Sequence, residues 1–467
     1  MTAWREMTVE GWGRYPRSVA RCARPERLAE VGQALADRDG SPVLAHGLGR
    51  SYGDAALLAG GRVVLTERLD RMLGFDASTG WLTAEAGVSL LDVIRTFAPR
   101  GFFPPVVPGT QLVTLGGALA ADIHGKNHHV AGSFSDHVRR VHLLVADGRT
   151  VVCDREHEPE LFHATVGGMG LTGVVLSMDL QLVAIESPWI ELETVRVSNL
   201  DHFFEVSAGS EAWPYTVSWI DCAATGKAMG RGVFMRGRHA GPGAAPSGRL
   251  IERLKAVVEP LLDARPIEPD WLLNRATIRA FNETYFRMHG RGVQRSFVHY
   301  EPFFFPLDAV KNWNRLYGAR GMMQYQPVVP PDPDHRAMRT ILERISTSGF
   351  ASFLAVIKEF GESHHSGLSF PRPGTTLALD FPNHGQPLLD LMDTLDDVVL
   401  DAGGRLYLGK DARVTRERFQ RMYPEWRAWR AVRDHWDPDG VFASDLGRRL
   451  GLVQDGAAPT GPTRSAA

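Results

Sequence analysis

Hydrophobic residues recur along the first third of the chain with two different periods. Leu28, Val31 and Leu35 share one face of a predicted helix over residues 24–38, and residues 90–97 repeat this helical spacing. Short apolar runs that are typical of strands lie between and after these helices. These runs cover residues 42–45, 62–65, 81–84, 138–145, 150–152 and 174–182. Mixed helices and strands with short connections predict an α/β or α+β domain.

From about residue 189 the pattern changes to longer segments with clusters of aromatic residues. Gln324 and Gln326 alternate within an apolar run, which predicts that both side chains face one side of a strand. Lys410 closes another β-like stretch. The elements predicted in this part are helices over residues 388–399 and 417–432, a strand over residues 375–381, and a turn with a strand over residues 403–410.

Length and charge narrow the range of functions. A chain of 467 residues is compatible with two large domains or about three smaller ones. Its 52 basic and 54 acidic residues give a net charge of −2, so nucleic acid is not the expected partner. The three cysteines are widely spaced, and we find neither a signal peptide nor an apolar stretch of ~18 residues. These features predict a soluble, cytoplasmic protein.

Glycine is the residue whose abundance is unusual, with 48 of 467 positions against an average of ~7%. Glycine allows sharp turns and lets the backbone lie against a ligand. A literal G-x-G-x-x-G runs from Gly168 to Gly173, but a strand-like run follows it. A Rossmann dinucleotide site needs a helix at that point, so we interpret this motif as a turn between elements.

Two other glycine-rich segments are more informative. Residues 47–54 follow a predicted strand, and their three glycines expose backbone N–H groups as an anion-binding nest does. Taken alone, this segment is better interpreted as a plain tight turn. Residues 108–127 are rich in glycine and alanine, at seven of twenty positions, with hydroxyl groups at Thr110 and Thr114. Two such loops, about sixty residues apart, indicate one diphosphate-bearing cofactor held between them.

The histidines at positions 124, 128 and 129 raise the alternative of a metal site. Among carboxylates and thiols, only Asp122 lies at ligand spacing, so we favour a polar site wall and predict no metal. Lys358 and Lys410 follow β-like runs. Each is interpreted as a surface residue unless partial burial lowers its pKa enough for it to act as a base.

Five segments together resemble the vanillyl-alcohol-oxidase-type flavoproteins, and more closely the decaprenylphosphoryl-β-D-ribose 2'-oxidase family. They are GLGRSYGD, PGTQLVTLGGALAADIHGKNHH, ATVGGMGLTGVV, YLGKDAR and FASDLGRRL. The resemblance extends from about residue 11 to residue 452. It implies FAD as the cofactor and an α+β fold, in which a two-lobed PCMH-type FAD-binding domain joins a substrate domain with an antiparallel sheet.

The same resemblance implies the domain limits. Residues 1–188 would form the FAD-binding domain, which residues 405–453 complete. Residues 189–404 would form the substrate-binding domain, and residues 454–467 would form a disordered tail.

The resemblance also assigns the cofactor contacts, residue by residue. Relatives with covalently bound flavin carry His where this chain has Arg50, and the second attachment site lacks Cys here, so FAD is expected to bind non-covalently. The implied FAD contacts are Gly47, Gly49, Arg50, Ser51, Tyr52, Gly53, Gly109, Thr114, Gly116, Gly117, Ala121, Ile123, His124, Gly173, Val175 and Tyr407.

The implied reaction moves hydride from a sugar carbinol carbon to flavin N5, which turns the 2'-hydroxyl of a ribosyl phosphate into a ketone. Lys410, His124 and Tyr52 are the implied catalytic residues. A short-chain NAD(P)H-dependent reductase is the implied partner that completes the epimerisation, and a lipid-linked substrate implies peripheral membrane contact. The implied substrate contacts are Gln326, Lys358, Trp219, Phe304, Thr376, Ala378 and Lys410.

Two positions depart from the family pattern. Thr376 and Ala378 stand where well-known members carry Asn and Cys. Hydride transfer does not need the thiol, but the shorter side chain of Thr376 leaves the identity of the sugar substrate open. Alternatives are therefore a related oxidase acting on a non-lipid sugar, nucleoside, alditol or aldonolactone, and a flavin-binding protein without catalysis.

Overall fold

The computed structural model describes residues 2–244, 275–352, 354–363 and 367–454, and it has an α+β fold. Most of the predicted tail, residues 455–467, lies outside the described residues. The strands are β1 (Arg5–Glu10), β2 (Arg17–Ala23), β3 (Val43–His46), β4 (Arg62–Leu65), β5 (Met72–Asp76), β6 (Trp81–Glu85), β7 (Phe102–Phe103), β8 (Val138–Leu144), β9 (Thr150–Asp154), β10 (Val174–Gln181), β11 (Val183–Ala184), β12 (Trp189–Val197), β13 (Tyr215–Ile220), β14 (Gly232–His239), β15 (Val293–His299), β16 (Met322–Tyr325), β17 (Pro327–Val329), β18 (Ala355–Phe360), β19 (Gly374–Pro382) and β20 (Arg405–Leu406). The helices are α1 (Leu28–Ala36), α2 (Leu90–Phe97), α3 (Leu115–Ala120), α4 (His128–Ala131), α5 (Pro159–Thr165), α6 (Leu200–Ala208), α7 (Arg275–Met288), α8 (Tyr300–Phe304), α9 (Arg336–Ser348), α10 (Gln386–Asp401), α11 (Arg416–Met422), α12 (Trp426–Trp436) and α13 (Asp445–Leu450).

The strands before residue 185 form two larger sheets and one short pair. The first sheet has the order β1-β2-β4-β3, in which β4 runs parallel to both of its neighbours. The second is an antiparallel sheet with the order β5-β6-β10-β8-β9, and β7 pairs with β11. The loops that follow β3 and precede α3 leave these sheets on the side where the candidate site lies.

A nine-stranded antiparallel sheet forms the other half of the molecule. Its order is β15-β12-β14-β13-β18-β19-β17-β20, and β16 also pairs with β19. Ile341 of α9 and Leu395 of α10 are fully buried, and they share a hydrophobic core with Leu377 and Leu379 of β19. These helices therefore cover one face of the sheet, and the other face is left for the cavity described below.

The C-terminal segment returns from the large sheet to the first half of the chain. Val43 of β3 forms a parallel bridge with Phe442, and the Trp429 indole Nε1 donates to the Ala164 carbonyl at 2.8 Å. The Arg433 guanidinium is 1% exposed and donates to Asp437 at 2.7 Å, so this charged residue is paired inside the contact. Residues after 405 thus pack on the elements that surround β3 and α5.

Several sequence predictions agree with this fold. Residues 62–65 and 90–97 form β4 and α2 with the predicted limits, and residues 375–381 fall within β19. The interpretation of Gly168–Gly173 as a turn between elements is confirmed, because strand β10 and not a helix follows it. Among the described residues, none of the helices has the length and apolar character that a membrane span requires.

Other predictions were wrong. The helix predicted over residues 24–38 begins only at Leu28, because Pro25 and the extended backbone of Arg27 precede it. The helix predicted over residues 417–432 is broken into α11 and α12 at Pro424, which cannot continue a helix. Lys410 does not close a strand: β20 ends at Leu406, and Lys410 lies in the turn that follows.

Candidate active site

One cavity of about 1350 Å³ lies between the glycine-rich loops and the open face of the nine-stranded sheet. Single-ligand pockets usually measure ~300–1,000 Å³, so this volume suits a large cofactor together with a substrate. One wall consists mainly of backbone from residues 47–52 and 107–126. The facing wall includes side chains from β13, β15, β18 and β19, with Trp219 of β13 and Phe304 of α8 among its aromatic residues.

The backbone wall depends on close packing at its glycines. A Cβ atom on Gly47 would lie 2.4 Å from the Thr114 Oγ1, and one on Gly116 would lie 2.9 Å from the Ala86 Cβ. Thr114 caps α3 by accepting a hydrogen bond from the Gly117 N–H at 3.1 Å. The two glycine-rich loops therefore touch each other, and a side chain at Gly47 would force them apart.

A buried chain of polar side chains joins the two walls. The Gln326 Nε2 lies 3.0 Å from the His124 Nε2 and donates to the Thr376 Oγ1 at 3.4 Å. Thr376 in turn donates to the Pro327 carbonyl at 2.9 Å. Burial and the positive charges of Lys358 and Lys410 hold the pKa of His124 well below its usual range. His124 is therefore neutral at physiological pH and accepts the Gln326 hydrogen bond.

Lys410 and Tyr52 meet at the base of the cavity. The Lys410 Nζ lies 3.8 Å from the centre of the Tyr52 ring, within the range of a cation–π contact. The backbone is joined at the same point, because the Tyr52 N–H donates to the Gly409 carbonyl at 3.1 Å. The turn that carries Lys410 is thus held against the first glycine-rich loop.

A buried guanidinium strengthens this junction. Arg449 donates two hydrogen bonds to Asp54, at 2.7 and 2.8 Å, and one to Asp411 at 2.9 Å. A Cβ atom on Gly53 would lie 1.8 Å from the Asp411 carbonyl oxygen, so only glycine allows this approach. We call the set of Gly53, Asp54, Asp411 and Arg449 the Arg449 clasp.

Burial weakens the basicity of three of the four lysines that line the cavity, Lys126, Lys358 and Lys410. Burial lowers the pKa of Lys126 to about 8, and burial with the charges of Lys126 and Lys410 lowers the pKa of Lys358 to about 7. Burial lowers the pKa of Lys410 as well. The charged residues of the lining are seven cations, Arg50, Arg95, Lys126, Arg295, Lys311, Lys358 and Lys410, and two anions, Glu301 and Asp308. A chain with a net charge of −2 therefore concentrates positive charge in its cavity.

Several polar residues in and behind this cavity were not assigned from the sequence, and Lys126, Gln324, Tyr317 and Asp380 are among them. Lys126 stands two positions after His124 in the second glycine-rich segment, and Asp380 lies in the DFP triplet of β19. Gln324 and Tyr317 also line the cavity. The alternation of Gln324 and Gln326 was the available signal, and the structure confirms that both face the same side.

Most of the residues assigned from the resemblance surround this single cavity. Gly53 and Thr376 do not line it: Gly53 packs on Asp411 in the Arg449 clasp, and Thr376 lies behind Gln326. The lining includes Gly47, Gly49, Arg50, Ser51, Tyr52, Gly109, Thr114, Gly116, Gly117, Ala121, Ile123, His124, Gly173, Val175, Trp219, Phe304, Gln326, Lys358, Ala378, Tyr407 and Lys410.

The lining fits a ligand that accepts and donates hydrogen bonds along the backbone wall. Within the described residues, the Arg50 Nε, the His124 Nδ1 and the Gln111 Oε1 are buried without a hydrogen-bond partner. Buried polar atoms of this kind normally find partners, so these three are available to a bound group. The diphosphate and the ring nitrogens of FAD together offer both hydrogen-bond donors and hydrogen-bond acceptors to such a wall.

Comparison with known proteins agrees with this site. Residues 16–154 match the FAD binding domain family, and residues 380–450 match the family of D-arabinono-1,4-lactone oxidase. The chain is 39% identical to decaprenylphosphoryl-β-D-ribose oxidase of Mycolicibacterium smegmatis over 95% of this chain and 97% of that protein. It is 36% identical to an uncharacterised protein of Streptomyces coelicolor over 78% of this chain and the whole of that one. L-gulonolactone oxidase of Scyliorhinus torazame is 30% identical over 34% of this chain and 36% of that protein.

The fold, the cavity and these matches define an FAD-dependent oxidoreductase with a PCMH-type FAD-binding fold. The similarity to the mycobacterial enzyme spans both chains almost completely. The chain belongs to the decaprenylphosphoryl-β-D-ribose oxidase family.

Proposed function

We propose that this enzyme oxidises the 2'-hydroxyl of decaprenylphosphoryl-β-D-ribose to a ketone, as the first half of an epimerisation to the arabinose form. The observation that carries the proposal is the cavity floor, where the buried Lys410 amine faces Tyr52 at 3.8 Å beside the backbone wall. Bound FAD supplies the hydride acceptor for such an oxidation. The chain's own residues must then bind the sugar and take up the hydroxyl proton.

Lys410 is the residue that we assign to this proton. Burial lowers the pKa of Lys410, so part of the population carries a neutral amine near neutral pH. A neutral amine can accept the proton that the hydroxyl loses as the carbonyl forms. Tyr52 and the neutral His124 would hold the sugar oxygens, since each combines an apolar ring with a hydrogen-bonding atom.

Lys126 and Lys358 are the residues that we assign to the phosphate of the substrate. Both line the cavity, and neither has a salt-bridge partner among the described residues. A phosphodiester would supply the missing negative charge and raise the pKa of both amines on binding. Trp219 and Phe304 would form the apolar walls beside the sugar, and Ala378 leaves more space there than a cysteine would.

Further parts of the proposal concern the cofactor and partners. We propose that FAD binds non-covalently, held by residues 1–188 and 405–453, and that residues 189–404 bind the substrate. A short-chain NAD(P)H-dependent reductase would reduce the ketone from the other face. A prenyl-linked substrate also requires contact with a membrane surface. Mass spectrometry of the denatured protein tests the first point, and a flavin adduct on the polypeptide would contradict it.

The decisive experiment is anaerobic reduction of the bound flavin by defined sugars. We expect decaprenylphosphoryl-β-D-ribose, or a short-chain prenylphosphoryl ribose, to bleach the visible absorbance of the oxidised flavin. Free ribose and ribose 5-phosphate serve as matched controls for the lipid and the phosphodiester. Bleaching by free sugars alone would overturn the assignment of the substrate.

A second candidate is an oxidase of a free alditol or aldonolactone. The match of residues 380–450 to the D-arabinono-1,4-lactone oxidase family favours it. The cluster of cations in the cavity argues against it, because neutral polyols and lactones carry no charge to pair with these lysines. Oxygen consumption with free lactones or polyols, and none with a prenylphosphoryl pentose, would favour this candidate.

A further inference from the structure

Behind the cavity floor lies a buried carboxylate that the proposed mechanism does not yet use. Asp380 is 0% exposed and belongs to β19, directly opposite Gln324 on β16. The Gln324 Nε2 donates to the Asp380 Oδ1, and the Gln324 side chain also hydrogen-bonds the Tyr52 hydroxyl. Asp380 therefore reaches the cavity through Gln324, although it does not itself line the cavity.

The second oxygen of this carboxylate is the unusual feature. Within the described residues, the Asp380 Oδ2 is buried without a hydrogen-bond partner. Burying an acceptor of this kind is costly unless a nearby charge compensates for it. The titratable groups that interact with Asp380 are Lys410, Tyr52 and Tyr317, and among these only Lys410 is a cation.

We propose that Asp380 is a positioning residue for Lys410, and that its carboxylate is the counter-charge for the ammonium group that forms when Lys410 accepts the substrate proton. This inference rests on the proposed function. In the step, the O–H proton moves to the Lys410 Nζ, the hydrogen on the carbinol carbon leaves with its electron pair for FAD, and the C–O bond becomes C=O. The nearby carboxylate stabilises the new positive charge without touching the substrate.

The electrostatics of the pair have the sign that this role requires. Burial lowers the pKa of Lys410, whereas the negative charge of Asp380 raises it. The positive charge of Lys358, which interacts with Lys410, opposes the protonation of Lys410, and the neutral His124 adds no charge. Without the carboxylate, the pKa of Lys410 must therefore fall, and the ammonium form must become harder to produce.

The test compares Asp380→Asn with the wild-type holoenzyme. Asparagine keeps an oxygen that can accept from Gln324 but removes the charge. Competitive acetylation with acetic anhydride, read by peptide mass spectrometry as a function of pH, gives the titration midpoint of Lys410 without any turnover. We expect this midpoint to fall by about 1 unit, the size expected for the loss of one nearby opposite charge. The acidic limb of the flavin-reduction rate should move the same way, and the maximal rate should fall ~10-fold.

Glu359→Gln is the matched control. Glu359 is a buried carboxyl group on the neighbouring strand β18, it accepts from the Thr375 hydroxyl at 2.8 Å, and it does not line the cavity. Its removal should leave the Lys410 midpoint unchanged. If Asp380→Asn does not fold, Gln324→Met retains the carboxylate but removes its hydrogen bond. The carboxylate then binds its proton more tightly, so the Lys410 midpoint should fall by less than 1 unit.

The outcomes separate this inference from the proposed function. A Lys410 midpoint that stays at the wild-type value in folded Asp380→Asn would overturn the inference, whatever happens to the rate. If the Lys410 midpoint shifts in Asp380→Asn but no prenylphosphoryl ribose reduces the flavin of the wild-type enzyme, the pairing of Asp380 with Lys410 is retained. The substrate assignment is then overturned.

Discussion

The two walls of the cavity are built in different ways. The backbone wall presents N–H groups and closely packed glycines, such as Gly47 against Thr114, and it needs little side-chain chemistry. The facing wall presents Lys358 and aromatic rings from strands far apart in the sequence, and the buried acid Asp380 lies behind the cavity. The backbone wall suits an invariant cofactor, whereas single substitutions in the facing wall can alter which substrate binds. Each wall should therefore fail in its own way when it is mutated.

The largest effect is expected on the cavity floor, at Lys410. Lys410→Ala removes the amine but leaves the glycine-rich loops intact, so FAD should remain bound. Loss of a general base usually costs ~10²–10⁴-fold in rate, and we expect flavin reduction to slow by that factor. Stopped-flow absorbance with the prenylphosphoryl substrate measures it. The exposed Lys227 offers a control, since Lys227→Ala should reduce flavin at the wild-type rate. An active Lys410→Ala enzyme would remove this residue from the mechanism.

The next effect is expected from the backbone wall. Gly47→Ala places a methyl group 2.4 Å from the Thr114 Oγ1, and overpacking of this kind costs ~1–3 kcal/mol. FAD affinity should fall by ~5–150-fold if that cost appears in the bound state. Titration of the apoprotein with FAD, followed by flavin fluorescence, measures the change.

Gly32→Ala is the control for this glycine. Gly32 lies inside α1, and nothing is within 4 Å of a Cβ atom added there. Alanine should leave FAD binding unchanged and stabilise the fold by ~0.5–1 kcal/mol. If Gly32→Ala lost FAD affinity as much as Gly47→Ala, the close packing of Gly47 against Thr114 would not explain the loss.

A smaller effect is expected at the lysines assigned to phosphate. Lys358→Met should raise KM for the phosphorylated substrate by ~10–100-fold, since a charged hydrogen bond contributes ~1.5–3 kcal/mol. The value of kcat should change less than KM, because Lys358 is not the group that accepts the substrate proton and influences Lys410 only through its charge. Steady-state kinetics separate the two constants, and an unphosphorylated prenyl riboside should be bound equally by both enzymes.

The same assignment predicts a pH dependence. The pKa of Lys358 is about 7 and that of Lys126 about 8, so both amines are charged below these values and lose their charge as pH rises through them. Affinity for dimethyl phosphate, a phosphodiester probe whose charge is constant over this range, should accordingly decline from pH 6 to pH 9. Isothermal titration over this range measures the decline, and an affinity independent of pH would contradict the assignment.

The smallest effect is expected at Thr376, which touches the cavity only through Gln326. Thr376→Val removes a hydroxyl that accepts from Gln326 at 3.4 Å and donates to Pro327 at 2.9 Å. We expect a loss of ~0.5–1.5 kcal/mol in unfolding free energy and a change of only a few fold in kcat/KM. Chemical denaturation and steady-state kinetics measure these quantities. A large change in substrate preference would show that Thr376 reaches the substrate after all.

The contrast between the walls also explains what the sequence could predict. Glycine runs and capping hydroxyls such as Thr114 are local signals, so the residues of the backbone wall could be found from their own neighbourhoods. The matched limits of α2 and β4 have the same origin, because periodicity is local. The position of Asp380 relative to Lys410 depends on the pairing of β16 with β19 and on the Arg449 clasp, which no local pattern encodes. The break at Pro424 was locally visible and should have been predicted.

The Arg449 clasp has a consequence for the order of events during synthesis. The loop around Gly53 and Asp54 leaves the ribosome early, but its partners Asp411 and Arg449 are added more than 350 residues later. At ~5–20 residues per second, the first cofactor loop waits roughly 20–70 s for the turn that backs it. The nascent chain thus cannot complete this side of its flavin pocket until Arg449 has been added, and a product truncated before Asp411 lacks the clasp. Tight capture of the cofactor is therefore expected late in synthesis, after nearly all of the pocket has been made.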